Sequence, residues 1–280
     1  MVGWRFCVFL LPFVVLMGTL WVHSDLNSMD SNLKKETVKG NKFGFATVST
    51  PAFAMGAVVL GHLLEKYHGD RFDRICLVTP DVNETWRNIL GQWWKVIPVK
   101  EFKPYVSFRR SWTKLHLWDQ IEYKKLVYLD TDLLVLGDLS ELFNYSQLSC
   151  AYDTNPPQIC NTGVVILEPQ EGMFEKMKHA IYEKKLYEGI GDQGFINSFF
   201  GSFTPIHPSY NVPRISGTGL GDQMKRNVTK IVHYVCKKPW KCGREGRAYC
   251  GCGYKRLNYV WWEHWDEACA NKQCIESWKE

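Results

Sequence analysis

From residue 43 onward the chain alternates short apolar runs with longer stretches of helical spacing. Phe43-Gly44-Phe45-Ala46-Thr47-Val48 predicts a strand ending in the turn residues Ser49, Thr50 and Pro51. Apolar residues at Ala57, Leu60, Leu64 and Tyr67 then predict a helix. Arg74 to Thr79 is a second apolar run, closed by Pro80. Trp86 to Trp94 reads as helix and Val96 to Val99 as a third strand. Lys114 to Ile121 reads as helix again, and Lys125 to Leu129 as a fourth strand. This alternation argues for an α/β domain around a mainly parallel sheet. Ligands of such sheets bind at the carboxyl ends of the strands.

Ahead of this domain, Phe6 to Val22 reads FCVFLLPFVVLMGTLWV without a charge. That length sits at the short end of what spans a bilayer as a helix. Arg5 lies before it and Asp25 after it, which predicts a cytosolic N-terminus and a lumenal body. A cleaved signal peptide is the alternative. Bulky Trp21, Val22 and His23 stand where a small-x-small cleavage site would fall, which favours an uncleaved anchor. A short span suits the thinner membranes of the early secretory pathway. The expected organisation is a signal anchor over 1–22, a polar stem over 23–42, the α/β domain over 43–240 and a Cys/Trp-rich extension over 241–280. The expected location is the Golgi or ER membrane, single-pass type II, with the body in the lumen.

Composition narrows the reading further. Hydrophobic residues at 45% and charged residues at 22% exclude a disordered chain. A net charge of +5 without a basic block argues against a nucleic-acid partner. Cys236, Cys242, Cys250, Cys252, Cys269 and Cys274 crowd the tail. In an oxidising lumen they read as disulfides; a zinc site is the rival, but no pair of C-x-x-C motifs is present. Sequons at Asn83, Asn144 and Asn227 point to the same compartment.

The fourth strand runs directly into Asp130-Thr131-Asp132. An Asp-x-Asp pair is common by chance, but this one stands at the edge of the sheet where ligands bind. In extended structure its two carboxylates share a face and can converge on one hard cation, Mg²⁺ or Mn²⁺. The rival is an exposed turn with solvated acids. A cation held this way suits a diphosphate leaving group, as in sugar or phosphoryl transfer. Neither a G-x-x-x-x-G-K-[ST] loop nor the protein-kinase motif set is present, so sugar transfer fits better.

The chain resembles glycosyltransferase family 8, which includes glycogenin and bacterial galactosyltransferases. Ordered motifs across residues 43–240 carry the resemblance. They are Met55 to Gly61, Thr113-Lys114-Leu115, Leu129-Asp130-Thr131-Asp132, Asn161-Thr162-Gly163-Val164, Gly191-Asp192-Gln193-Gly194, and His233 through Lys238-Pro239-Trp240. Within the family the chain is similar to plant xylan glucuronosyltransferases of the glycogenin-like starch-initiation group. It shares their His-Tyr-x-x-x-Lys-Pro-Trp spacing and a downstream Trp-Trp, here Trp261-Trp262.

The resemblance implies a GT-A fold, a UDP-sugar donor, Mn²⁺ or Mg²⁺, and retention of anomeric configuration. Asp130, Asp132 and His233 would be the metal ligands, and Lys238 would face the diphosphate. Lys114, Thr131, Asn161 and Thr162 would belong to the donor site. The end of the first strand, Thr47, Ser49 and Thr50, would hold the uridine through backbone groups, with Phe53 beside it. Asp192 and Gln193 would stand at the reacting centre. The implied activity moves a hexosyl or glucuronosyl residue to a glycan or other lumenal acceptor. Two alternatives stay open: an inactive lumenal sugar-binding or scaffold protein, and a self-glucosylating primer like glycogenin.

Each role has a plainer rival. His233 could be structural, Asp192 a helix cap, Asn161-Thr162-Gly163 a turn, and Lys114 a solvated helix face. The tail tryptophans read first as packing and only second as a sugar platform. Three departures from the family pattern also stand. Cys236 replaces a glycine near the phosphates, and either crowds the donor or forms a disulfide. Glu188 is an imperfect match to an acid that precedes the Asp-Gln pair. Arg109 and Arg110 are rival phosphate contacts.

Overall fold

The computed structural model describes residues 42–102, 104, 111–153, 159–183, 191–215, 226, 228–244, 256–270, 272 and 274. The expected anchor, the stem up to residue 41, Arg109, Arg110, Glu188, Asn227, Cys250 and Cys252 lie outside them. Among the described residues no helix is long and apolar enough to cross a membrane.

Four strands pair in parallel: β1 (Lys42–Ser49), β2 (Asp73–Val78), β3 (Lys95–Pro98) and β4 (Tyr123–Leu129), in the order β3-β2-β1-β4. Beyond β4 the direction reverses. β7 (Cys160–Leu167) runs antiparallel to β4, and β6 (Ser149–Tyr152) antiparallel to β7. The short β8 (Thr204–Pro205) lies beside β6. A second, small sheet joins β5 (Leu133–Val135), β10 (Ile231–His233) and β9 (Val212–Pro213).

The apolar runs are continuous because both faces of the large sheet are covered. On β4, Val127 and Leu129 face one core cluster, while Leu126 and Tyr128 face the other. The first cluster lies under helices α1 (Ala54–His68) and α6 (Arg256–Ala270). The second lies under a 3-10 segment (Ser111–Asp119), α3 (Met173–Tyr182) and α4 (Gly191–Phe200). The helix expected over 114–121 is therefore 3-10 in form. Likewise α2 (Glu84–Leu90) stops short of Trp94. The amides of Trp93 and Trp94 both turn back to the Leu90 carbonyl, and the Trp94 indole donates to the Ala57 carbonyl at 2.9 Å.

The tail packs into the first core. Trp261, Trp262 and Trp265 of α6 are buried, and the Trp261 ring lies 5.3 Å from that of Trp240 in α5 (Pro239–Cys242). Trp240 in turn donates to the Ala52 carbonyl at 3.0 Å and fills the space a side chain at Gly56 would need, 2.7 Å from the would-be Cβ. Cys269 bonds to Cys274, and Cys236 and Cys242 are each disulfide-bonded. A further bridge, Cys150–Cys160, staples β6 to β7; the crowding of cysteines in the tail gave no sign of it. Asn83 and Asn144 are exposed.

Candidate active site

Between β1 and β4 the chain connections leave the sheet in opposite directions, and a crevice opens at the carboxyl ends of the two strands. A cavity of about 350 Å³ occupies it. Thr50 and Phe53 after β1, Lys114 of the 3-10 segment and Asp130, Thr131 and Asp132 after β4 line it. So do Asn161 and Thr162 of β7, Asp192 and Gln193 of α4, His233 of β10 and Lys238. Twelve of the fourteen residues singled out in the sequence are thus brought to one cavity. The exceptions are Thr47 and Ser49, whose side chains are fully buried; Thr47 donates to the Leu129 carbonyl at 2.7 Å, tying β1 to β4.

The Asp-x-Asp pair converges by a turn, not by strand alternation. β4 ends at Leu129, and the carbonyl of Asp132 accepts the amide of Tyr234 as the chain passes to the small sheet. His233, at the end of β10, thereby comes beside the pair. One ligand atom each from Asp130, Asp132 and His233 lies within 4.8 Å of the others. The His233 Nδ1 meets Asn211 Oδ1 at 2.9 Å, which fixes the ring and leaves Nε2 toward Asp132 at 3.5 Å. With Nδ1–H as the donor, the Nε2 lone pair is available to an ion. Gly163 makes room for the imidazole: a Cβ there would stand 2.6 Å from His233 Cε1. Two carboxylates and one imidazole fit a hard divalent cation such as Mn²⁺ or Mg²⁺.

Lys238 donates to Asp132 and, at 2.6 Å, to the Tyr234 carbonyl. Asp132 is buried, which alone would raise its pKa, but His233 and Lys238 overrule burial and hold the carboxyl well below the usual carboxylate range. Cys236, two residues earlier, is half-buried and disulfide-bonded, and does not line the cavity.

Lys114 is no solvated helix residue; it is 5% exposed. Its Nζ lies 2.7 Å from Asp192 Oδ2 and 3.4 Å from Asp130 Oδ1, and donates to the Thr162 carbonyl at 3.0 Å. Burial pulls its pKa down, but the Asp130 and Asp192 carboxylates outweigh burial, so the net shift is upward and the ammonium is charged at neutral pH. Asp192 is the second residue of α4, where a negative charge complements the helix dipole. Its carboxylate also accepts from the Thr162 hydroxyl at 3.2 Å. Gln193 is fixed at both ends of its amide, accepting from the Thr162 amide at 3.2 Å and donating to Asp153 at 3.0 Å. Asn161 and Thr162 belong to strand β7, not to a turn before it.

Sequence reasoning missed Tyr128, Asp153 and Asn211. Tyr128 lines the cavity and donates to Asp130; burial first, then Asp130, pushes its phenol well above its ordinary pKa, so it stays a donor. Asn211 links His233 to Asn161 at 2.8 Å, and Asn161 donates to Asp153 at 2.8 Å. A wider groove near Tyr152, Asn197 and Phe203, about 920 Å³, is lined among the described residues by apolar and neutral polar side chains. The smaller cavity gathers the carboxylates, the imidazole and the amines described above.

Known proteins share this arrangement of strands. The galactosyltransferase LgtC, solved with donor and acceptor sugar analogs, superposes with a TM-score of 0.61 at 17% identity, covering 84% of this chain and 98% of that one. That likeness concerns the fold, a GT-A-like α/β sheet. Human glycogenin-1 is 31% identical over 70% of this chain and 61% of its own length. UDP-glucuronate:xylan alpha-glucuronosyltransferase 1 of Arabidopsis thaliana is 26% identical over 72% of this chain and 33% of its own. The chain thus spans less than two thirds of the curated relatives it matches. The profile described as Glycosyl transferase family 8 matches residues 50–242. With the parallel core, the strand-end carboxylates and that match over most of its length, the chain belongs to glycosyl transferase family 8.

Proposed function

We propose that this chain is a retaining, metal-dependent glycosyltransferase that moves a hexosyl or glucuronosyl residue from a UDP-sugar to a glycan acceptor in the secretory lumen. The observation that carries the reading is the meeting of Asp130, Asp132, His233, Lys238 and Asp192 in one strand-end cavity. The glycogenin and xylan glucuronosyltransferase relatives support the same class of reaction.

The charges suit a diphosphate. Three carboxylates (Asp130, Asp132, Asp192) line the cavity with two ammonium groups (Lys114, Lys238), so one divalent cation turns a net negative site into a net positive one. A cation held by Asp130, Asp132 and His233 would supply Lewis-acid stabilisation of charge on the departing diphosphate. Lys238 exchanges part of its bond with Asp132 for the same oxygens. Val48, Thr50 and Phe53 receive the uridine at the end of β1, while Thr47 and Ser49 shape the strand end beneath it. The side chains of Thr131, Asn161 and Thr162 frame the sugar.

Asp192 faces the reacting carbon. Its carboxylate oxygen is already engaged by Lys114 and Thr162, which makes it a weak nucleophile and a well-placed anion beside an oxocarbenium-like centre. Gln193, held by Thr162 and Asp153, orients this wall. The acceptor hydroxyl attacks from the side the diphosphate leaves, its proton passes to a departing diphosphate oxygen, and configuration is retained. The test is transfer from a panel of UDP-sugars to oligosaccharide acceptors, with the product's anomeric configuration read by NMR. Retained linkage from one donor supports the reading. An inverted product, or no transfer by protein that binds UDP, contradicts it.

A further inference from the structure

A second cluster of metal-ligating side chains lies where α1 meets α6, and none of its members lines the cavity. His62 comes from α1; His264 and Glu267 come from α6, three residues apart and so on one helix face. Glu267 Oε2 stands 3.2 Å from His62 Nε2 and 3.0 Å from His264 Nδ1. One ligand atom from each residue lies within 4.8 Å of the others. The two imidazoles are 18% and 14% exposed, and the carboxylate 46%, so the nitrogens are anchored and one side opens to solvent.

The donors differ in kind from those of the active site. Two imidazole nitrogens and one carboxylate oxygen, with a place for water, make a tetrahedral set that suits Zn²⁺; Mg²⁺ and Ca²⁺ want more oxygens. Lys66 is the competitor. Its ammonium sits 2.9 Å from Glu267 Oε2, in the role a cation would take. Its side chain is 43% exposed on a flexible stem, so it can withdraw to water.

We propose that His62, His264 and Glu267 form a second metal site, selective for Zn²⁺ over Mn²⁺, that clamps the C-terminal helix to α1. The clamp has a structural reason. Trp261 of α6 packs on Trp240, two residues after Lys238, and α1 begins beside Phe53, so both helices lead to the cavity wall. Holding α6 against α1 therefore steadies the segment that carries Lys238.

The test uses the full-length, metal-stripped chain carrying Asp130→Ala and Asp132→Ala to silence the active-site ligands, without reductant so that Cys269–Cys274 stays closed. Calorimetric titration with Zn²⁺ is expected to show one equivalent bound and a raised Tm, with no comparable response to Mn²⁺. Adding His62→Gln and His264→Gln is expected to abolish both effects while leaving the Tm in EDTA unchanged. Lys66→Met is expected to tighten Zn²⁺ binding several-fold. Co²⁺ gives a separate readout in the chain with both histidines intact, through the visible absorption of a tetrahedral nitrogen–oxygen site. The proposal is overturned if Zn²⁺ binding is the same with and without the two histidines, or if neither the parent nor Lys66→Met binds Zn²⁺ and Co²⁺.

Discussion

Lys114 reaches Asp192 at 2.7 Å, joining the 3-10 segment to the first turn of α4. It also faces Asp130, so one buried cation sets the charge of the two walls where donor and reacting carbon would meet. Removing it leaves two carboxylates together without their partner.

Lys114→Met is therefore expected to destabilise the protein by about 3–5 kcal/mol, the usual effect of breaking a buried pair. Turnover of the UDP-sugar is expected to fall roughly a hundredfold or more, as for loss of a preorganised electrostatic contact. Chemical denaturation and UDP release measure the two effects. A variant as stable and as active as the parent would show that the pair is incidental.

Asp192→Asn keeps the shape of the side chain and removes its charge. Donor binding is expected to survive, while the turnover number drops by a hundredfold or more. Unchanged turnover would rule out a role at the reacting centre.

Gly163→Ala forces a methyl group against His233. The contact at 2.6 Å from Cε1 requires the imidazole to shift, with an overpacking cost of about 1–3 kcal/mol. Mn²⁺ affinity is expected to fall with activity, read by calorimetry. The prediction fails if the variant binds Mn²⁺ as the parent does.

Acid stability follows from buried His68 and half-buried His116. Burial depresses the pKa of His68 and His116 below the ordinary 6.5. Groups depressed on folding contribute stability that is fully present above pH 6.5 and is lost as pH falls through their folded-state values. The His68 ring bridges the Leu139 amide at 2.9 Å and the Leu64 carbonyl at 3.1 Å, an arrangement that needs the neutral form. The Tm of the metal-free protein is expected to fall as the pH drops below 6.5, and less steeply in His68→Gln. A Tm that stays flat or rises on acidification would refute this.

The sequons give a test of compartment. Asn83 and Asn144 are exposed, Asn83 at the start of α2 and Asn144 at the end of a 3-10 turn. Expression in a eukaryotic secretory host is expected to yield glycans on both, visible as a mass loss on enzymatic deglycosylation. Full-length protein from such a host without glycan at either position would argue against a lumenal body.

Much of this was legible in the chain. Continuous apolar runs ending in turn residues gave the parallel strands, because strands covered on both faces leave that pattern. Asp130 and Asp132 stood out because charge followed such a run, and His233 and Lys238 because they share a spaced motif. Tyr128 was also within reach, since it lies two residues before Asp130 and points to the same side. Asp153 and Asn211 were not, because their roles depend on how β6, β7 and the small sheet meet far along the chain. Thr47 and Ser49 show the converse: their position at a strand end was visible, but strand alternation turns both side chains into the core. The reversal of direction at β7 has no local signature, since a buried strand reads alike in either sense.

The central claim is that Asp130, Asp132 and His233 support metal-dependent cleavage of a UDP-sugar. The most direct measurement is UDP release by the full-length chain from a panel of UDP-sugars, with and without Mn²⁺, beside the Asp130→Ala, Asp132→Ala variant. The account predicts release from one donor that requires Mn²⁺ and disappears in the variant. Folded protein that releases no UDP from any donor, and binds neither UDP nor Mn²⁺, would contradict it.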